Sequence, residues 1–192
     1  MPRAVLLVLA LVALWPAVGQ PAGAVSFALD ERQRAEAIAV GRESIVSEEF
    51  GGEWTVRGSG GQSVTVMSPF HRVALAARNA TFRQKVLEPR EVEAALKETT
   101  GKLILWTTVK GGKADFARFL TPTLLNGGAA IRPSFVQNER TPVLGGDGRY
   151  IARCVYVFPS DGLPPAARVT LVVRDRAEAE VAKFQVDLGA MR

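Results

Sequence analysis

The sequence predicts an α+β fold, with helices in the N-terminal part and an antiparallel, sandwich-like set of strands in the C-terminal part. Three observations carry this. Between Asp30 and Thr99, apolar residues recur mostly at helical spacing, interrupted by one hairpin pattern. From Lys102 onward they alternate in twos, punctuated by Gly, Pro, Asn and Asp. The two patterns are segregated along the chain, which argues against a parallel doubly wound sheet.

The N-terminus bears on where the chain folds. Arg3 is the sole charge before Asp30, and an apolar run from Ala4 to Trp15 leads through Pro16 to Ala22-Gly23-Ala24. A short basic start, an apolar core of roughly 7–15 residues and an A-x-A site are what a signal peptidase recognises. A membrane anchor needs roughly 20 apolar residues, and here Pro16 and Gly19 break a shorter run. Residues 1–24 therefore read as a cleavable leader, and 25–192 as one mature domain, periplasmic or extracellular. Its helix-rich part spans 25–101 and its strand-rich part 102–192. Lipid attachment would need a cysteine just after the apolar run, and the one cysteine is Cys154.

The first helix is expected from Asp30 to Glu49, with Ala35, Ile38, Ala39, Ile45 and Val46 on its inner face. Ile38, Ile45 and Val46 are expected to pack against the domain. Arg42 falls within that stripe, so it must find a partner or lie exposed. Gly51-Gly52 ends the helix. Trp54 and Val56, then Val64 and Val66, alternate on either side of Gly58-Ser59-Gly60-Gly61, which predicts a hairpin. Ser68-Pro69 opens a second helix to about Lys85, with Phe70, Val73, Ala77 and Ala80 inward. Pro89 opens a third, running to Thr99 and closed by Gly101.

Strands are predicted at Leu103–Val109, Thr123–Leu125, Ala129–Ile131, Arg149–Phe158, Arg168–Arg174 and Glu180–Leu188. Asp115–Leu120 reads as a helical turn, and Asn126-Gly127 as the turn of a hairpin. Such closely spaced strands resemble an immunoglobulin-type sandwich carrying N-terminal helices.

Composition removes several function classes. One Cys and one His leave no material for a multi-histidine or Cys/His zinc centre. The glycine clusters lie between strands and lack the lysine of a phosphate loop. No cofactor or metal is expected. Of 24 basic residues Arg3 lies in the leader, leaving 23 against 19 acidic ones, a net of +4. That excess is too small and too interspersed to indicate nucleic acid. Cys154 sits mid-strand with Ala152, Tyr156 and Phe158 on its side, which predicts a buried, unreactive thiol.

His71, near a helix start, reads as a packing or capping residue. Carboxylate pairs on helix faces read as solvated surface. The feature that points to a partner is a basic strip along the second helix, Arg72, Arg78, Arg83 and Lys85, with Arg72 and Arg83 three helical turns apart. The sequence thus predicts an exported, non-catalytic binding module of the bacterial cell envelope, its partner another envelope protein or an anionic surface. The alternative is a secreted hydrolase built on His71 or a carboxylate pair. A pocket with converging polar groups would favour the second reading, an apolar surface patch the first.

Overall fold

The computed structural model describes residues 24–192. The expected leader, 1–24, lies outside the described residues except for Ala24. Among the described residues no helix is long and apolar enough to cross a membrane.

Three helices and two antiparallel sheets make a mixed α+β fold. Helix α1 (Glu31–Glu43) starts at Asp30, whose carboxylate accepts the Gln33 N–H while the Gln33 side chain accepts the Asp30 N–H. Helix α2 (Pro69–Phe82) starts at Ser68, whose hydroxyl oxygen accepts the His71 N–H at 3.1 Å. Helix α3 (Pro89–Thr99) is followed by Gly101 at φ +69°, a left-handed conformation that suits glycine.

The strands are β1 (Thr55–Arg57), β2 (Ser63–Val66), β3 (Lys102–Gly111), β4 (Thr121–Asn126) and β5 (Ala129–Ile131). There follow β6 (Phe135–Gln137), β7 (Val143–Leu144), β8 (Tyr150–Pro159), β9 (Arg168–Arg174) and β10 (Glu180–Asp187). One sheet runs β1-β2-β3-β8-β6, with β7 also on β8; the other runs β10-β9-β4-β5. The early hairpin β1-β2 thus joins the sheet whose remaining strands come from the second half of the chain.

Alternation along the strands turns one side of each sheet into a shared core. Leu103, Leu105 and Val109 of β3 and Ala152, Cys154, Tyr156 and Phe158 of β8 are buried with Leu171, Val173, Phe184 and Val186 from the second sheet. Cys154 is buried among that apolar set, as expected, and burial pushes its pKa up. Tyr156 is buried too, and its hydroxyl donates to Asn138 Oδ1 at 3.2 Å. The Asn138 amide in turn donates to the Leu120 carbonyl at 2.8 Å. This chain of hydrogen bonds ties the segment just after β6 to the turn that precedes β4.

Helix α1 departs from expectation at its inner face. It ends at Glu43, and a short 3-10 turn, Ser44–Val46, follows. Ile45 and Val46 therefore leave the helical register, and Val46 is 89% exposed. The buried residues of α1 are Ala37 and Gly41, while Ile38 is only half-buried and Arg42 is exposed. Small residues win here because α2 lies very close. A Cβ on Gly41 would stand 2.1 Å from the Ala74 carbonyl oxygen and 2.8 Å from the Ala77 Cβ. Helix α2 itself buries Phe70, Val73 and Ala77 as its periodicity predicts.

Candidate functional site

The turn into α2 and the β1-β2 hairpin together build a cleft around His71. His71 is only 4% exposed. Its ring stacks on Trp54, centroids 4.2 Å apart, and meets the edge of Phe50 at 5.8 Å. Nδ1 lies 2.9 Å from the Val66 carbonyl oxygen. A carbonyl can only accept, so Nδ1 carries the proton and Nε2 keeps its lone pair. Burial lowers the pKa below the ordinary 6.5, against the pull of the Val66 hydrogen bond, and Arg72 lowers it further. The imidazole is neutral at physiological pH.

Trp54 is held as firmly as its partner. Its indole N–H donates to the Arg192 carbonyl at 2.6 Å. The Arg192 guanidinium bridges Glu36 and Glu53 and lies over the Phe70 ring, 4.9 Å from its centroid.

The cleft has a volume of about 310 Å³. Phe50, Met67 and Trp106 give it apolar walls, Glu48, Glu49 and Arg57 its charges, and His71 an acceptor. Its hydroxyls are committed elsewhere. Thr55 donates to the Gly51 carbonyl at 2.8 Å, and Thr65 lies 2.9 Å from Thr55 Oγ1. With the Thr55 proton on Gly51, the Thr65 proton falls to Thr55, so neither faces Nε2 as a nucleophile would.

A second groove, of about 600 Å³, runs along β6, the terminal strand of the first sheet. Phe135 and Val136 form one wall, Arg118 and Phe119 the other, with Arg140 at the end. Phe119 is 58% exposed and Phe135 51%. Neither Arg118 nor Arg140 makes an ion pair among the described residues. The intervening Glu139 accepts instead from the N–H and hydroxyl of Thr141, at 3.2 and 3.3 Å. Arg176 lies over the Phe119 ring at 5.3 Å. Neither β6 nor this groove was expected, because Phe135–Gln137 is exposed throughout and shows no alternation. The usable signal was the nearness of arginine to aromatic residues at Arg118-Phe119 and Phe135 to Arg140.

The basic strip is dispersed. Arg72 pairs with Glu98. Arg78 donates to the Ser47 carbonyl at 3.0 Å and lies over the Phe50 ring. Arg83 caps the end of α2, and with Lys85 it lies exposed beyond the helix. The four side chains do not converge on one point.

No protein-family model and no curated protein matches the chain. Among solved structures it is similar to a protein of unknown function from Burkholderia pseudomallei K96243. The two are 8% identical, with a TM-score of 0.43 over 84% of this chain and 91% of that one.

Proposed function

We propose that this chain is an exported, non-catalytic interaction module of the bacterial cell envelope, whose two sheets form an immunoglobulin-type sandwich presenting a groove for an extended, acidic segment of another protein. The observation that carries the reading is the β6 edge. A terminal strand offers unpaired backbone donors and acceptors, and soluble proteins normally protect such edges with charge, proline or cover. Here the edge is apolar at Phe135 and Val136, and β7 continues it with Val143 and Leu144, all exposed. Arg118 and Arg140, which pair with no carboxylate among the described residues, set the sign of the partner. An added strand would gain main-chain hydrogen bonds from β6, apolar contact from Phe119 and Phe135, and ion pairs from the arginines.

The test uses two fluorescent peptides, one of alternating Val and Glu, the other of alternating Val and Lys. The Val-Glu peptide should bind, and Arg118→Glu with Arg140→Glu should abolish its binding while leaving the fold intact by circular dichroism. Equal binding of both peptides, or self-association through this edge in sedimentation, would refute an acidic partner. The hydrolase reading draws support from the neutral, accepting Nε2 of His71, but it needs a nucleophile that the cleft's two threonines do not supply.

A further inference from the structure

The His71 cleft lies apart from the β6 groove and is built differently. We propose that it is a second binding site, taking a small primary amine with an apolar body whose ammonium group donates to His71 Nε2.

Three observations lead to that chemistry. First, His71 lines the cleft and is itself only 4% exposed, and its Nε2 is an acceptor without a hydrogen-bond partner among the described residues. An acceptor that opens onto a cleft is complemented by a hydrogen-bond donor. The backbone leaves room for one. Gly51 sits at φ +91°, and even the Cβ it lacks would stand 4.0 Å from Nε2. Second, Phe50, Met67 and Trp106 line the cleft, and Trp106 is 47% exposed on the outer face of β3. A large half-exposed indole beside a sulfur and a phenyl ring suits an alkyl or aryl body. Third, the charged lining residues are two carboxylates, Glu48 and Glu49, against one guanidinium, Arg57. None of the three forms an ion pair among the described residues. The balance favours a cation over a neutral alcohol and disfavours an anion. A protonated His71 would repel such a ligand; its neutral tautomer, fixed by Val66, receives it.

The sequence contains one histidine, so its imidazole resonances are unambiguous in NMR spectra of the whole protein. Three probes share one apolar body: phenethylamine, phenethyl alcohol and ethylbenzene. Phenethylamine should shift the His71 Cε1–H resonance and change tryptophan fluorescence, binding about tenfold more tightly than the alcohol, as charge-assisted hydrogen bonds are the stronger kind. Ethylbenzene should bind more weakly still. In Glu48→Gln/Glu49→Gln, both changes lying on the exposed rim, the amine should lose its advantage while the alcohol binds as before. His71→Phe should erase the difference between alcohol and hydrocarbon. Should that variant fail to fold, the rim variant still decides the matter. The proposal is overturned if ethylbenzene binds as tightly as the amine, if tryptophan fluorescence responds while His71 does not, or if no probe binds.

Discussion

His71 lies flat against Trp54, their ring centroids 4.2 Å apart and their planes 9° from parallel. Each ring is fixed at its far side by a backbone carbonyl, His71 by Val66 and Trp54 by Arg192. The stack therefore joins the start of α2, the β1-β2 hairpin and residue 192. An imidazole so enclosed resists protonation, and that resistance has a measurable sign.

The folded pKa of His71 is lowered below 6.5 by burial. Above pH 6.5 both folded and unfolded chains hold it neutral, and it adds no pH dependence. Below 6.5 the unfolded chain takes up a proton that the native state refuses, so stability falls as pH drops towards the folded pKa. The slope from this group cannot exceed about 1.4 kcal/mol per pH unit. Urea unfolding at pH 7.5, 6 and 5 should show wild type losing more stability than His71→Asn, whose amide can still donate to Val66. Parallel losses would mean that His71 titrates normally.

Caps and alternation made most elements legible in the sequence. Asp30, Ser68-Pro69 and Pro89 mark the helix starts because a side-chain oxygen or a fixed φ acts within one turn. Strands β3, β8, β9 and β10 show themselves by burying one face. The inner face of α1 was not legible, since Gly41 carries no hydrophobic signal and its role is to let α2 approach. Strand β6 was hidden for the opposite reason: it is exposed along its whole length among the described residues, so no periodicity is imposed. The cleft was hidden because Trp54, Val66 and His71 meet only once the hairpin folds against α2, although each was visible singly.

Gly41→Ala tests the helix contact. Alanine should favour an isolated helix over glycine by about 1 kcal/mol. Against that, its Cβ would overlap the Ala74 carbonyl oxygen at 2.1 Å, and overpacking typically costs about 1–3 kcal/mol. Net destabilisation is expected in chemical unfolding. Half-buried Ile38, replaced by alanine, should cost less than about 2 kcal/mol, below the range for a fully buried isoleucine. A stabilised Gly41→Ala would show that α1 sits further from α2.

Cys154 should resist a thiol reagent until the protein is unfolded. Its side chain is 1% exposed, and burial raises the thiol pKa, so both access and thiolate are scarce. Modification should proceed at the unfolding rate or slower across a denaturant series. Rapid labelling of native protein would require β8 to open locally.

Thr107 offers the sharpest test of the core, because its hydroxyl is buried without a hydrogen-bond partner among the described residues, as is Gln62 Oε1. It faces inward from β3, 2% exposed, directly across from Cys154 of β8 and Val64 of β2. An unsatisfied buried hydroxyl costs about 1–3 kcal/mol. Valine keeps the β-branched shape that suits a strand and replaces the hydroxyl with a methyl group. Thr107→Val should therefore stabilise by about 1 kcal/mol, which for a domain of this size raises Tm by about 2–4 °C. Thr107→Ser, keeping the hydroxyl and losing the methyl, should destabilise. The reverse order would show that the hydroxyl is satisfied after all, through a buried water that Gln62 could share. Thr107→Val combined with Gln62→Leu distinguishes the cases. Without a shared water the two effects should add; with one, the double variant should recover what Thr107→Val alone had lost.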